Sequence, residues 1–263
     1  MRLHLCQYRL IAGSPADNRE KVRDLVMAKP LDRSGLLLLP EIFSTGVLPE
    51  AEADRMRGVD EGDRRFLAAL AKESGQYVLG STAGGTPESL HNLSLLYDPQ
   101  GLPIGAYRKM HPFSFAGEHR VFSPGHDVAV FPLPAFTLQP TLCYDLRFPE
   151  LYRAGVDRGA DLLTVQANWP VNRQAHWDVL LRARAIENQA FVAGVNCLGH
   201  IGQVEFKGGS LVVSPRGDTL LQAGEDEGVF SVWIDPDLVK SWRRVFPALR
   251  DRRPPGLFKP SCG

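Results

Sequence analysis

The stretch GLLLLPEIFSTG, residues Gly35–Gly46, sets four consecutive leucines in front of Pro40 and the carboxyl group of Glu41. A short continuous apolar run that is bounded by Gly and Pro predicts a buried strand, here Leu36–Leu39. A carboxylate that directly follows a buried strand is partly desolvated, which raises its pKa and suits it to proton transfer. Glu41 is therefore the first candidate for a functional residue.

Similar short runs alternate with helix-like segments along the whole chain. This alternation favours a layered α/β fold over separate all-α and all-β parts. The turn sequences DPQG and SPRG add two antiparallel hairpins to the predicted sheet. Strands are predicted at Leu3–Arg9, Leu36–Leu39, Tyr77–Ser81, Leu93–Tyr97, Phe136–Leu142, Leu162–Gln166, Ala190–Asn196, Ser210–Val213 and Val229–Ile234, and helices at about Pro15–Ala28, Asp63–Ser74, Pro149–Arg158 and Gln174–Gln189, with a shorter one after Pro236.

The composition predicts one large domain over residues 1–263, with an extended C-terminal tail from about residue 248 to 263 that is rich in Pro, Arg and Gly. The 30 basic and 30 acidic residues form no long run of either sign, so neither a nucleic-acid groove nor a membrane-binding patch is expected. No signal peptide and no apolar stretch of about 18 residues is found. A small polar partner is expected.

The four cysteines, Cys6, Cys143, Cys197 and Cys262, show neither C-x-x-C spacing nor paired histidines. They are too sparse for a disulfide framework, so a reducing compartment and a cytoplasmic location are predicted. Cys6 and Cys197 lie within apolar strands and are interpreted as packing residues. The seven histidines show no metal-ligand spacing, and no metal site is predicted.

Two further stretches end predicted strands with reactive side chains. In PTLCYDLRFPE the strand stops at Cys143 and a helix is expected near Pro149. Backbone N–H groups at such a turn are expected to stabilise a thiolate and lower the thiol pKa. In YRKMHPF the strand stops at Lys109, and the loop that follows contains three phenylalanines and Glu118. Long loops with exposed aromatic residues usually have a function.

Glu41, Lys109 and Cys143, in that order, resemble the Glu-Lys-Cys triad of the carbon–nitrogen hydrolase family, the nitrilase superfamily. Glu118 matches the second, assisting glutamate of that family. The resemblance extends to ANWP, RARAIENQAFVAGVN and GGSLVVSPRGD, and so covers nearly the whole chain. It implies a four-layer αββα sandwich, a homodimer that associates near the nucleophile helix, and catalysis without a metal or cofactor.

The resemblance also implies a mechanism that agrees with the residue types. Glu41 takes the thiol proton of Cys143, and the thiolate attacks an amide carbonyl. The Lys109 ammonium, kept charged by its two glutamate neighbours, and the backbone N–H of Tyr144 then hold the oxyanion. Ammonia leaves a thioester, which water hydrolyses with the help of Glu41 and Glu118.

Within the superfamily, CYDLRFPE, NWP and the loop HPFSFAGEHRVFSPG look most like omega-amidases. These enzymes hydrolyse the terminal amide of 2-oxoglutaramate and 2-oxosuccinamate, products of transamination that also arise in methionine salvage. Such a substrate needs a cation for its carboxylate, and the candidate is Arg173, with His176 as a helper. Arg147 is expected instead to pair with Asp145 and Glu150 and to brace the nucleophile turn. The predicted pocket walls are Phe43, Phe113 and Trp169.

Three alternatives stay open at this point. The chain could be another enzyme of the superfamily, such as a nitrilase, a carbamoylase or the amidase of deaminated glutathione. It could be a non-catalytic scaffold, although retention of Glu41, Lys109 and Cys143 speaks against that. It could also be a Cys-His hydrolase that uses His119 or His176 as the base, which His119→Ala and Glu41→Gln would distinguish.

Overall fold

Two sheets of six strands each lie at the centre of the described part of the chain. The computed structural model describes residues 1–28, 30–48, 50–56, 58–86 and 89–253. The strands are β1 (Arg2–Gln7), β2 (Arg9–Ile11), β3 (Leu36–Leu38), β4 (Tyr77–Thr86), β5 (Ser89–Tyr97), β6 (Pro103–Arg108), β7 (Phe131–Pro132), β8 (Thr137–Leu142), β9 (Leu162–Ala167), β10 (Phe191–Asn196), β11 (Leu198–Ile201), β12 (Val204–Lys207), β13 (Leu211–Val213), β14 (Thr219–Gln222) and β15 (Gly228–Trp233). The α-helices are α1 (Pro15–Met27), α2 (Asp60–Ser74), α3 (Pro149–Asp157), α4 (Gln174–Asn188) and α5 (Pro236–Val245).

The strand order is β15-β1-β3-β4-β5-β6 in the first sheet and β14-β13-β10-β9-β8-β7 in the second. Strands β1, β3 and β4 are parallel to one another, as are β8, β9 and β10, while the outer strands pair antiparallel. Both predicted hairpins are confirmed, as β5–β6 and β13–β14. Parallel central strands place their carboxyl ends at one edge of each sheet, which is where ligands bind in such folds.

Three apolar clusters separate four layers, as the leucine run illustrates. Leu36 and Leu38 join residues of both sheets in the middle cluster, while Leu37 and Leu39 pack with α1 and α2 in an outer one. The third cluster joins α3 and α4 to the far face of the second sheet. Both faces of the run are buried because successive strand residues point to opposite sides. The predicted αββα sandwich is confirmed.

A polar bridge crosses the middle layer close to the strand ends. Gln166, on β9 of the second sheet, donates from Nε2 to the carbonyl oxygens of Leu39 at 2.8 Å and Leu79 at 3.1 Å, both in the first sheet. A buried amide is stable in an apolar layer only when it is hydrogen-bonded. Gln166 therefore links the two sheets at the end where the candidate functional residues lie.

The strand predicted at Leu3–Arg9 is wrong in its extent. It breaks at Tyr8, and the chain continues as β2, which pairs with β11 in a small third sheet of order β12-β11-β2. Strands β11 and β12 were not predicted: they form a short hairpin, and β11 pairs in parallel with β2, which is distant in the chain. Of the predicted tail, residues 254–263 with Cys262 lie outside the described residues. None of the described helices is long and apolar enough to cross a membrane.

Candidate active site

Three strand ends bring a carboxylate, an ammonium and a thiol together. Glu41 follows β3 and Lys109 follows β6 in the first sheet, while Cys143 follows β8 in the second. Lys109 Nζ lies 2.7 Å from Glu41 Oε1 and 2.8 Å from both carboxylate oxygens of Glu118. The structure thus assembles the four residues that the sequence places at positions 41, 109, 118 and 143.

Lys109 is almost completely buried, with 2% of its surface exposed. Burial alone would lower the pKa of its ammonium group. The charges of Glu118 and Glu41 outweigh that effect and raise the pKa above its usual value, because both carboxylates stabilise the charged form. Lys109 therefore keeps a positively charged ammonium group in a buried site, as the sequence predicts.

Glu41 is equally buried, with an exposure of 1%. Burial raises the pKa of its carboxyl group, and the charge of Glu118 raises it further, whereas Lys109 lowers it. The backbone N–H of Asn168 donates to Glu41 Oε2 at 3.1 Å, and the Asn168 side chain donates to the Glu41 carbonyl at 2.7 Å. The raised pKa makes this carboxylate a stronger base than an exposed glutamate, which suits it to accept a proton.

The Cys143 thiol differs from the sequence expectation. Its pKa is raised well above the usual value, first by burial and then by the charge of Glu41, and Lys109 only partly opposes this. The expected lowering by the turn is wrong, because burial of the thiol and the charges of Glu41 and Glu118 outweigh the effects that would stabilise a thiolate. The thiol is therefore protonated at rest and needs a base before it can attack. Its Sγ lies 3.7 Å from the Asn168 carbonyl oxygen.

The backbone is strained at two places beside these groups. Cys143 has a φ of 43° at the start of a 3-10 turn (Cys143–Arg147), and Ile42, next to Glu41, has a φ of 39°. Positive φ is rare for residues with a side chain and costs of order 1–3 kcal/mol. Ile42 is held by its N–H, which donates to Ser81 Oγ at 3.0 Å.

Asp145 fixes the turn that carries Cys143. Its buried carboxylate accepts hydrogen bonds from the Tyr107 hydroxyl at 2.8 Å, from His111 Nδ1 at 2.8 Å and from the Leu142 N–H at 3.0 Å. Tyr107 and His111 flank Lys109 in the chain, so this one carboxylate ties the lysine segment to the nucleophile turn. His111 also stacks on Phe148, with ring centroids 3.7 Å apart.

The expected pairing of Arg147 with Asp145 and Glu150 is wrong. Asp145 is occupied by other donors, and Arg147 instead stacks over Trp169 at 4.9 Å and lies 3.3 Å from His176 Nδ1. Within the described ranges no carboxylate pairs with Arg147 or with Arg173. Both guanidinium groups also line the cavity. Their positive charges are therefore available to a substrate carboxylate.

A largely apolar cavity of about 270 Å³ opens above Cys143. Arg173 stacks over the rings of Phe113 and Phe115 at 5.6 and 5.4 Å on its wall. Of the predicted site residues, the cavity is lined by Cys143, Glu118, Tyr144, Phe113, Trp169 and Arg173.

Two predicted pocket residues lie elsewhere. Phe43 is completely buried and stacks against Phe66 of α2, with ring centroids 5.5 Å apart, because its side chain points into the outer apolar cluster. His176 is exposed on α4 and contacts Arg147 but does not line the cavity. Among the residues described here, no group of three or more His, Cys, Asp or Glu is placed to hold a metal ion.

Sequence reasoning missed two asparagines, Asn92 and Asn168, which donate hydrogen bonds to the carboxylates of the site. Asn92 donates from its side chain, and Asn168 donates from its backbone N–H. Asn92 Nδ2 donates to Glu41 Oε1 at 2.8 Å and to Glu118 Oε1 at 3.1 Å. The available signal was an amide inside the apolar strand SLHNLSLLY, since a buried polar side chain needs a partner. Asn168 was quoted only as part of a motif, without a role.

Comparisons with known proteins agree with this geometry. A family model described as carbon-nitrogen hydrolase matches residues 2–244. The chain is 34% identical to a 2-oxoglutaramate amidase of Bacillus subtilis (strain 168) over 249 residues, which are 94% of this chain and 95% of the relative.

Two solved structures share the fold closely. One is a CN-hydrolase superfamily protein of Xanthomonas campestris with an arsenic adduct in its active site, with a TM-score of 0.90, 31% identity and coverage of 97% of each chain. The other is a mutant amidase of Nesterenkonia sp. AN1 that carries the acetamide moiety of fluoroacetamide on its active-site cysteine. It has a TM-score of 0.83 and 29% identity, and covers 96% of this chain and 94% of that one. The chain therefore belongs to the carbon–nitrogen hydrolase family and is a hydrolase that acts on amides.

Proposed function

We propose that this enzyme hydrolyses the terminal amide of short keto-acid amides, 2-oxoglutaramate and 2-oxosuccinamate, to the acid and ammonia. The observation that carries the proposal is a small apolar cavity that is lined by Cys143, by Glu118 and by two guanidinium groups, those of Arg147 and Arg173, with the Lys109–Glu41 pair buried behind Glu118. A substrate with an amide at one end and a carboxylate at the other matches that polarity. A relative named 2-oxoglutaramate amidase supports the same substrate.

The first half of the proposed reaction forms a thioester. Glu41 takes the thiol proton of Cys143, and Sγ attacks the amide carbon. The charge of the Lys109 ammonium group stabilises the oxyanion, and the N–H of Tyr144, which the start of a helical turn leaves without an internal partner, donates to it. The C–N bond then breaks, and the proton on Glu41 leaves with ammonia.

The second half hydrolyses the thioester. Glu41 takes a proton from water as the oxygen attacks the acyl carbon, and the acid leaves as the thiol is restored. Glu118 holds Lys109 rather than water in this scheme, because its two oxygens already accept from Lys109, Asn92 and the N–H of Phe113, the last at 2.6 Å. These hydrogen bonds leave the Glu118 carboxylate little room to accept one from a water molecule.

The size of the cavity favours short substrates. Pockets for small molecules span about 300–1,000 Å³, and the cavity above Cys143, at about 270 Å³, lies just below that range. A four- or five-carbon keto acid suits it better than the tripeptide-like deaminated glutathione. The cytoplasmic location and the link to methionine salvage stay predictions from the sequence.

The substrate proposal predicts a rank order of ammonia release. The assay compares 2-oxoglutaramate, 2-oxosuccinamate, glutamine, deaminated glutathione, an N-carbamoyl amino acid and an aliphatic nitrile. The two keto-acid amides are expected to have the highest kcat/KM, at least tenfold above the others, because they alone combine a short chain with a carboxylate and a ketone. A higher kcat/KM for deaminated glutathione, the carbamoyl acid or the nitrile would move the assignment to that activity.

The control for this assay is Arg173→Gln, measured with 2-oxoglutaramate and with an uncharged amide of the same length. Losing a charge-assisted hydrogen bond costs about 1.5–3 kcal/mol, or roughly 10- to 100-fold in kcat/KM, for the charged substrate only. An equal loss with both substrates would show that Arg173 acts on the shape of the loop and not on the carboxylate.

We also propose a homodimer that associates through the outer face of α4. Val179 and Ile186 lie one above the other on that helix and are 65% and 54% exposed. The end of α5 adds Val245 and Phe246, which lie beside α4 because Gln189 Nε2 donates to the Phe246 carbonyl at 2.6 Å. Sedimentation should give one species of twice the chain mass, and Ile186→Glu should shift it to the monomer. A wild-type protein that sediments as a monomer at micromolar concentration would contradict the proposal.

A further inference from the structure

Asn92 touches each charged partner of the candidate nucleophile. It lies on β5 with 1% of its surface exposed, and its Nδ2 donates one hydrogen to Glu41 and the other to Glu118. Its backbone carbonyl accepts the N–H of Lys109 at 2.9 Å. One side-chain amide therefore lies between two buried carboxylates, and the same residue positions the lysine backbone.

The orientation of this amide is set from behind by Ser81. The Ser81 hydroxyl donates to Asn92 Oδ1 at 3.2 Å and accepts the N–H of Ile42 at 3.0 Å. With Oδ1 engaged by a donor, Nδ2 must face the carboxylates, which can only accept. The chain Ile42, Ser81, Asn92 and Glu41 closes a loop of hydrogen bonds around the strained backbone that follows Glu41.

The two oxygens of Glu41 are consequently unequal. Oε1 accepts from Lys109 Nζ at 2.7 Å and from Asn92 Nδ2 at 2.8 Å, whereas Oε2 accepts only the N–H of Asn168, at 3.1 Å. Asn168 also provides the carbonyl next to the Cys143 sulfur. Of the two oxygens, Oε2 therefore accepts fewer hydrogen bonds, and its donor belongs to the residue whose carbonyl lies next to the Cys143 sulfur.

We infer that Asn92 is a positioning residue: it occupies Oε1 of Glu41, holds Glu118 on the far side of Lys109, and so leaves Oε2 of Glu41 as the oxygen that takes the thiol proton of Cys143. The inference rests on the proposed role of Glu41 as the base, but not on the identity of the amide substrate. Asn92 does not line the cavity, so it acts on the rate of proton transfer and not on substrate binding.

The pH dependence follows from the groups that face Glu41. In the described part of the chain these are Lys109, Glu118, Cys143 and Cys197, and burial raises the pKa of the Cys197 thiol so that it stays neutral. Two donors to the carboxylates are lost when Asn92 is replaced by alanine, so the proton affinity of Glu41 rises. The acid limb of the rate profile, where Glu41 becomes protonated, should move to higher pH by about one unit.

The test is the rate of Cys143 alkylation by iodoacetamide from pH 5 to 9, followed by mass spectrometry of the Cys143 peptide. Asn92→Ala should shift the acid limb upward by about one pH unit, and kcat for amide hydrolysis should fall roughly 10- to 100-fold with KM within about threefold. Asn92→Asp keeps the shape but replaces the donor with an acceptor, so it should be at least as impaired. If only the shape of the Asn92 side chain mattered, Asn92→Asp would instead stay close to wild type.

The matched control is Asn188→Ala, which also removes a buried side-chain amide. Asn188 is completely buried at the end of α4, where its Nδ2 donates to the Arg184 carbonyl at 3.0 Å, and it touches neither Glu41 nor Glu118. Its alkylation profile should coincide with that of the wild type. An unshifted profile in Asn92→Ala, or a fully active Asn92→Asp, overturns the inference. If neither Asn92 variant folds, Ser81→Ala decides by the same criterion, with a smaller upward shift expected.

The alkylation readout separates this inference from the proposed function. Iodoacetamide reports thiol activation whatever amide the enzyme prefers. A shifted profile in a protein that fails to hydrolyse the keto-acid amides would support the role of Asn92 and overturn the substrate proposal. Good hydrolysis of the keto-acid amides with an unshifted profile in Asn92→Ala would support the substrate proposal and overturn the role of Asn92.

Discussion

Cys143→Ala is expected to reduce ammonia release from the best amide at least a hundredfold while the protein stays folded. Among the described residues that line the cavity, Cys143 is the only one with a thiol or an aliphatic hydroxyl, so the acyl-transfer step loses its attacking atom. The thiol donates a weak hydrogen bond, at 3.7 Å, to the Asn168 carbonyl. Alanine also keeps the Cβ at this positive φ, so the strain is unchanged. Ammonia release and urea unfolding measure the two effects.

Cys6→Ala is the matched control for this variant. Cys6 is buried in an outer apolar cluster, where its high thiol pKa, about 12, keeps it neutral. Its replacement should leave activity close to that of the wild type. Mass spectrometry of Glu41→Gln incubated with substrate should in addition find an acyl group on Cys143. Near-normal activity in Cys143→Ala would exclude the thioester mechanism.

Lys109→Met should both inactivate and destabilise the protein. The loss of an oxyanion donor costs about a hundredfold or more in kcat. The two carboxylates that share the lysine, Glu41 and Glu118, are then left buried without a counter-ion. Breaking a buried ion pair in this way typically costs about 3–5 kcal/mol of the free energy of unfolding.

The destabilisation should depend on pH with a definite sign. Without the lysine, which lowers it, the pKa of the Glu41 carboxyl group rises further above its value in the unfolded chain, so the folded state binds more protons. Stability then falls as the pH rises from the unfolded to the folded pKa. Urea unfolding should therefore reveal a larger loss at pH 8 than at pH 5. Lys109→Met combined with Glu118→Gln should recover stability but not activity, and an equal loss at both pH values would contradict the buried-charge argument.

The layered fold was predictable from local pattern. Runs such as Leu36–Leu38 are too apolar for an exposed strand, and their regular spacing with amphipathic segments predicts the α/β layers. The third sheet was not predictable, since nothing in the sequence of β2 or of β11 indicates that these two strands pair. Pairing between distant strands is decided by tertiary packing, which local sequence does not encode.

The candidate site was predictable to a different degree at each residue. Glu41, Lys109 and Cys143 stand at strand ends, and that position is visible in the sequence. The environment is not visible, so the direction of the Cys143 pKa was mistaken. Phe43 follows Glu41 closely, yet its side chain enters the helix-facing core. Arg147 was assigned to acids near it in the chain, whereas Asp145 is already saturated by Tyr107 and His111.

The base and the nucleophile follow strands of different sheets, and the middle apolar layer, the Gln166 bridge and the hydrogen bonds from Asn168 to Glu41 hold these two sheets together near the site. The thickness of that layer is thus one of the factors that set the distance between the Glu41 carboxylate and the Cys143 sulfur. A misplacement of about 1 Å can cost roughly a hundredfold in rate. Leu138 and Leu162 lie in this layer and do not line the cavity, yet their packing affects the geometry of the triad. Substitutions that swell or thin the layer would tune turnover without changing which amide is recognised.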